Sequence, residues 1–339
     1  MSEERKKVLV VGAGGFAGGF ICEEGLKRGF DVWAGVREST SRRYLNDRRL
    51  NFVIFDFDNP DLLSKALSSA LPEGEKWDYI VYNLGATKCV NFMDFNKINY
   101  LYLQDFCKAL AEADMIPEKM VYMSSLSAMG PGDEKNYTPF TEKQIPMPNT
   151  RYGASKLKAE MLLAGAQIPV VILRPTGIYG PRDKDYFLMF DAIRKGFDFS
   201  VGYKRQLLSF LYVEDLAGAV YDALEKGKAG ETYIIGEPKV YTQKEFRNIV
   251  GKAIGKKNVI PVRLPLWIVK MVSKVAEKIG VAKGKPSTLN SDKFKIMAQR
   301  NWNIDISKAV SDFGFKCETP LEEGVRKSVD WYKAEGWLK

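Results

Sequence analysis

The stretch TRYGASKLKAE (150–160) sets Tyr152 four positions ahead of Lys156, in a chain of 339 residues that contains no histidine. On a helix, residues i and i+4 share a face, so a phenol and an ammonium stand side by side. Proton transfer near neutral pH usually falls to histidine, with its pKa near ~6.5, whereas a free phenol titrates near ~10. An ammonium beside the phenol stabilises phenolate and lowers its pKa towards the working range. The pair can then act as general acid or base without an imidazole. The same spacing also describes an ordinary surface tyrosine lying along a lysine stem.

A second polar group comes from MSSLSAMG (123–130), which follows a strand. In doubly wound sheets ligands bind at the C-terminal strand ends. A serine hydroxyl placed there hydrogen-bonds a substrate oxygen and helps polarise a carbonyl, and both Ser124 and Ser125 are available.

VLVVGAGGFAGG spaces Gly12, Gly15 and Gly18 three residues apart, directly after a strand and before a helix. Glycine admits positive φ and lets backbone approach a pyrophosphate, which a helix N-terminus attracts. Tight strand–helix packing asks for the same residues, but the position in the first βα unit points to a dinucleotide. The second strand ends in AGVRES, with Arg37 at its tip, Arg42 and Arg43 nearby, and Glu38 one step late for the acid that bonds a ribose 2′-OH. Arginine suits a 2′-phosphate, so NADP(H) is favoured, with NAD(H) as the alternative. Beside a dinucleotide, Lys156 gains a second task in holding the nicotinamide ribose hydroxyls. The set then suits hydride transfer, with the tyrosine moving the proton and a serine orienting the oxygen.

The elements that must position these residues follow from the pattern of apolar runs. KVLVVGA (7–13), DVWAGVR (31–37), NFVIFDF (51–57), WDYIVYNLGA (77–86), KMVYMSS (119–125) and PVVILRP (169–175) read as strands. Helical stretches lie between them, at FICEEGLKRG, 62–71, 93–114 and around Tyr152. Such alternation predicts an α/β fold with a doubly wound parallel sheet. PTGIYGPRD reads as a loop, 210–225 as a short strand feeding a helix, 231–236 as a strand, and 239–339 as a smaller, mostly helical lobe.

Composition narrows the classes. Apolar residues at 45% and charged residues at 27% fit a soluble protein with a real core. Cys22, Cys89, Cys107 and Cys317 lie far apart with no CxxC pair, which argues against disulfides and zinc. The absence of histidine excludes Ser-His-Asp and Cys-His chemistry, and no acidic cluster offers a metal site. The net charge of +9 reads as lysines and arginines spread along the chain among acids, without an RNA-binding signature, so no nucleic-acid partner is expected. No signal peptide is expected from the charged start, and no run reaches the ~18 apolar residues that span a bilayer. The expected compartment is the cytoplasm.

In this order and spacing, GAGGFAG, NLGAT (83–87), Asn99 in KINYLYL, MSSLSAMG, YGASK, RPTGIYGP (174–181) and FLYVEDLA (210–217) resemble the extended short-chain dehydrogenase/reductase superfamily, also called the NAD-dependent epimerase/dehydratase family. The resemblance covers nearly the whole chain. It implies a Rossmann lobe over 1–175, rejoined by 209–236, and a substrate lobe from 176–208 and 237–339. It implies a catalytic set of Ser125, Tyr152 and Lys156, with Asn99 supporting the lysine. Ser125 is preferred to Ser124 because it stands five residues before Gly130. Cofactor contacts are implied at Gly12, Gly15, Phe16, Gly18, Arg37 and Asp56, then at Leu84, Gly85 and Ala86. Tyr152, Lys156, Pro175, Gly177 and Ile178 complete them, and Ser127, Thr176 and Arg205 are implied substrate contacts. A homodimer through the tyrosine helix is implied as well.

Within that superfamily, nucleotide-sugar members carry an asparagine in the RPxNxYGP loop and an arginine shortly before the xFxxVxD segment. Here Thr176 and Gly177 stand in the first place and Leu208 in the second, with Arg205 three residues earlier. The tail from LNSDKFK to EGWL resembles 3β-hydroxysteroid dehydrogenase-like and dihydroflavonol reductase-like members, which act on hydrophobic ring alcohols or ketones. The expectation is an alcohol–ketone oxidoreductase for a small hydrophobic cyclic molecule, steroid- or sterol-like. The alternatives are a nucleotide-sugar epimerase or dehydratase with tightly held cofactor, and a non-catalytic dinucleotide sensor. LPLWIVKMVSKVAEKIG (264–280) has helical apolar spacing with lysines on another face, and packing into the substrate lobe is expected over docking on a membrane surface.

Overall fold

The computed structural model describes residues 5–338. The chain opens with β1 (Lys7–Val11), α1 (Phe16–Lys27), β2 (Asp31–Val36), β3 (Asn51–Ile54), α2 (Asp61–Ser68) and β4 (Tyr79–Tyr82). Next, α3 (Phe92–Asn96) runs through a π-helical turn, Lys97–Leu101, into α4 (Tyr102–Glu112), followed by β5 (Lys119–Met123), α5 (Arg151–Ala164) and β6 (Val170–Pro175). After β7 (Gly177–Tyr179) come α6 (Asp185–Arg194), β8 (Phe197–Val201), β9 (Phe210–Tyr212), α7 (Val213–Lys226) and β10 (Thr232–Ile235). The chain ends with α8 (Gln243–Ile254), β11 (Ile260–Leu264), α9 (Leu266–Ala282), α10 (Ser291–Ala298), α11 (Ser307–Phe313) and α12 (Leu321–Ala334).

Seven strands form one parallel sheet in the order β3–β2–β1–β4–β5–β6–β10. Val8 to Val11 of β1 are fully buried, as a strand covered by helices on both faces must be. One face packs Val8, Val10 and Val121 against Phe20 and Ile21 of α1 and Leu216 and Val220 of α7. The other packs Leu9, Val11 and Tyr122 against Phe106 and Leu110 of α4 and Ala159 and Leu163 of α5. A third core gathers Phe190, Phe210, Phe246, Val325 and Tyr332, from α6, β9, α8 and α12. Phe313 and Phe315, at the end of α11, join the first core rather than the third. Strand order reverses between β1 and β4, and the crevice outside their C-terminal ends is the ligand position of such sheets.

Several local readings need correction. PTGIYGPRD is not all loop, because Gly177–Tyr179 pairs in parallel with Phe210–Tyr212. Gly177 makes this packing possible, since a Cβ there would stand 2.1 Å from the Tyr186 hydroxyl. A second two-stranded sheet, β8 with β11, was hidden behind short, proline-interrupted segments. The apolar stripe of 264–280 does not pack into the substrate lobe. In α9 only Val269 and Ser273 are buried, while Leu266, Trp267, Met271, Val272, Val275 and Ile279 are exposed. The helix lies on its small-residue side. A Cβ on Gly280 would meet the Lys285 carbonyl oxygen at 2.8 Å, and this narrow side faces the protein. Among the described residues no helix is long and apolar enough to cross a membrane.

Candidate active site

Helix α5 begins at Arg151 because its first amides find acceptors. The Thr150 hydroxyl, at the N-cap, accepts from the Gly153 N–H at 3.0 Å. The Tyr152 N–H donates to the Asp292 carboxylate of α10 at 3.1 Å. Arg151 donates to Asp292 at 3.2 Å and also pairs with Glu277 of α9. The first turn of α5 is therefore fastened from a part of the chain 140 residues away.

One turn further, Lys156 is buried, and its Nζ donates to the Met123 carbonyl at the end of β5 at 2.8 Å. The same ammonium lies 4.9 Å from the centre of the Tyr122 ring. Burial pushes Lys156 down to about 8, with Glu160 acting against that shift. Gly85 lets the loop after β4 come in beside it, since a Cβ there would meet Lys156 Nζ at 3.0 Å and Asn99 Oδ1 at 3.1 Å. Asn99 is buried in the π-helical turn, a distortion often kept at functional sites. Its Oδ1 accepts from the Ala86 N–H at 2.7 Å, and its Nδ2 donates to the Ala86 carbonyl at 3.0 Å and to Ser155 Oγ at 2.9 Å. Asn99 thus ties the loop after β4 to α5.

Tyr152 is half-buried, with its ring 6.3 Å from that of Phe95. Burial pushes its phenol up, and the facing Ser125 hydroxyl acts the other way. The lowering by Lys156 expected from i,i+4 spacing is not what this arrangement gives, because the ammonium is turned to Met123 and Tyr122 instead. The two adjacent serines have different surroundings. Ser124 is buried and bonded to Glu160, which itself makes a bidentate pair with Arg174 at 2.6 and 3.0 Å. Ser125 is turned to the tyrosine, and its Oγ accepts from the Ser127 N–H at 3.2 Å.

At the other end of the crevice, Gly12 has φ +84°, and a Cβ there would lie 2.8 Å from the Leu84 nitrogen. A Cβ on Gly18 would stand 2.3 Å from the Gly12 carbonyl oxygen. These positions press α1 against the turn and leave its N-terminus, with Gly15 as N-cap and Phe16 as first residue, at the crevice. That is a cradle for an anionic phosphate. Arg37 stands exposed at the tip of β2, in no ion pair among the described residues. Arg42 lies over Phe52, and Arg43 pairs with Glu335. Asp56, exposed after β3, caps its own turn by accepting from the Asp58 N–H at 3.1 Å. Pro175 ends β6, Gly177 and Ile178 begin β7, and the buried Thr176 hydroxyl has no partner among the described residues.

Ser125, Ser127, Tyr152, Lys156, Asn99, Gly85 and Ala86 thus surround the C-terminal ends of β4 and β5. Arg205 is exposed: its carbonyl accepts from the Tyr137 hydroxyl at 2.7 Å, and its guanidinium lies 5.7 Å from that ring. Asp292, Glu277, Ser155 and the Glu160–Arg174 pair escaped the sequence reading. Only three-dimensional closure reveals such partners, since no local spacing marks them.

Residues 8–236 match the family described as NAD dependent epimerase/dehydratase. The chain is 23% identical to a ceramide reductase of Caulobacter vibrioides, over 99% of this chain and 98% of that protein. It is 24% identical to a dTDP-glucose 4,6-dehydratase of Salmonella typhimurium, over 97% of this chain and 93% of that one. Among solved structures, a UDP-glucuronic acid 4-epimerase from Bacillus cereus in complex with NAD superposes with a TM-score of 0.75 at 21% identity, covering 97% of this chain and 99% of that chain. At that identity the likeness speaks for the fold.

Proposed function

Since the chain belongs to the NAD-dependent epimerase/dehydratase family, we propose that it interconverts an alcohol and a ketone on a hydrophobic substrate and prefers NADP(H). The observation that carries this reading is the convergence of Tyr152 and Ser125 over a buried Lys156 at the ends of β4 and β5. The glycine cradle fits a dinucleotide, because a Cβ at Gly12 or Gly18 would fill the space against backbone. Gly12, Gly15 and Gly18 would hold the pyrophosphate, and the bound nicotinamide supplies or accepts the hydride. Ser125 holds the substrate oxygen by a hydrogen bond, and Tyr152 gives that oxygen its proton or removes it. Lys156, its Nζ held on the Met123 carbonyl, would hold the nicotinamide ribose hydroxyls. Asn99 keeps the loop 84–86 against α5, which fixes the lysine's position.

Substrate class rests on what lines the crevice beyond the chemistry. Thr176 and Gly177 take the place of the asparagine of nucleotide-sugar members, and Leu208 takes the place of their arginine. Arg205, the nearest substitute, is exposed, with its guanidinium 5.7 Å from the Tyr137 ring. A relative named as a ceramide reductase acts, by that name, on a lipid. We read the substrate as a ring or long-chain alcohol or ketone, with steroid- and sterol-like rings among the candidates. A nucleotide-sugar reading draws on the dehydratase relative; it predicts cofactor retained through purification and a rise in Tm with nucleotide sugars. NADP(H) preference rests on Arg37, the one arginine of its cluster without an ion-pair or ring partner among the described residues.

Purified protein assayed with steroid, long-chain and short-chain ketones should show nicotinamide-linked absorbance changes with at least one class. Tyr152→Phe should lower that turnover by ~10²–10⁴-fold while leaving dinucleotide affinity within about twofold. Arg37→Ser should erode the NADP(H) preference by about tenfold or more, the loss of a charge-assisted bond. No turnover with any ketone, together with stabilisation by nucleotide sugars, would replace the reductase reading with the epimerase one.

A further inference from the structure

Eight of the nine excess positive charges lie in one tenth of the chain. Residues 252–285 contain nine lysines and arginines and a single acid, Glu277, so the remainder is close to neutral. The basic residues are therefore concentrated in this segment rather than spread evenly among acids along the chain. This segment is the end of α8, then β11 and all of α9.

The same segment carries the large exposed apolar face. Successive residues of an α-helix turn by about 100°, so Met271, Val275 and Ile279 fall on one outward arc, opposite the buried Val269 and Ser273. They are 54%, 52% and 50% exposed, and Trp267 is 66% exposed. Lys270, Lys274 and Lys278 form a row along the flank of that arc. Glu277 is turned inward, paired with Arg151 and accepting from the Ser291 N–H at 3.2 Å. The outer surface of α9 is thus apolar and cationic only. Immediately before it, β11 and β8 add Ile260 and the stacked rings of Phe197 and Phe199, all exposed, with centroids 6.1 Å apart.

We propose that α9 and the β8–β11 sheet seat this protein on an anionic lipid surface, from which it draws a lipid alcohol or ketone. An outward apolar face with a tryptophan and a lysine flank is the pattern of a helix lying in a bilayer interface. Charge decides between this occupant and a second copy of the chain. A two-fold dimer puts the same patch against itself, and here that brings two sets of eight excess positive charges together. The seat is also joined to the chemistry. Glu277 of α9 pairs with Arg151, and Asp292 of α10 accepts from the N–H of Tyr152, so the docked helix is fastened to the first turn of α5. The lipid character of the substrate rests on the function proposed above; the docking itself does not.

The full-length protein should co-sediment with vesicles of phosphatidylcholine and phosphatidylglycerol at least tenfold more strongly than with phosphatidylcholine alone, and high salt should release it. Met271→Glu combined with Val275→Glu should cut vesicle binding by tenfold or more. The same variant should keep wild-type turnover of a water-soluble ketone and a wild-type thermal shift with NADP(H), while losing turnover of a long-chain ketone presented in vesicles. Equal binding to both vesicle types, or none to either, overturns the proposal. So does a variant whose only change, by analytical ultracentrifugation, is from dimer to monomer. If no ketone is turned over at all, sedimentation still reads the docking, so the two proposals fail separately.

Discussion

Two neighbouring serines show how residue identity and residue role come apart. Ser124 spends its hydroxyl on the buried Glu160–Arg174 pair, whereas Ser125, one position on, faces Tyr152. The family resemblance favoured Ser125, whereas the pair that occupies Ser124 joins residues 14 apart, on a helix and a strand, and left no trace in the sequence. Lys156 offers a direct test of burial. Its ammonium is held near 8, against an ordinary value of 10.5, because it has been taken out of water. Between those values the unfolded chain binds more protons than the folded one, so unfolding free energy should rise as pH increases from about 8 to 10.5. Lys156→Met removes that group, and its stability should be flatter across the same window. Denaturant unfolding of both proteins at stepped pH measures the difference; parallel curves would show that the lysine is better solvated than its surroundings indicate.

Elements were legible where burial dictates their composition. The parallel strands β1, β5, β6 and β10 coincide with apolar runs, because covered strands need apolar side chains on both faces. Short partnered strands such as β7 and β11 were missed, since three to five residues with glycine or proline carry little periodic signal. The orientation of α9 was missed for another reason: periodicity marks an apolar face without saying what covers it. The βα turn makes a sharper prediction. A Cβ on Gly18 would strike the Gly12 carbonyl at 2.3 Å, a backbone atom that cannot swing aside. Gly18→Ala should therefore lower Tm and weaken dinucleotide binding by about tenfold or more as α1 is pushed from the turn. Gly218→Ala in α7, whose new methyl would meet only the Arg28 guanidinium at 3.5 Å, should instead be neutral or stabilising by up to ~1 kcal/mol. Thermal melts and dinucleotide titrations of the two variants compare them directly.

At the scale of the whole molecule, distant segments complete the candidate site. Asp292→Ala deprives the Tyr152 N–H and the Arg151 guanidinium of an acceptor, and should cost about 1–3 kcal/mol of stability. If the first turn of α5 positions the phenol, kcat should fall several-fold while dinucleotide affinity holds; unchanged kcat at lowered stability would make the contact purely structural. The same contact has a consequence for biosynthesis. A chain leaves the ribosome N-terminus first, so the glycine cradle, the serine and the tyrosine all emerge well before Asp292. The nascent protein can shape a nucleotide crevice early, yet the first turn of its tyrosine helix has only its Thr150 cap until Asp292 follows, 140 residues later.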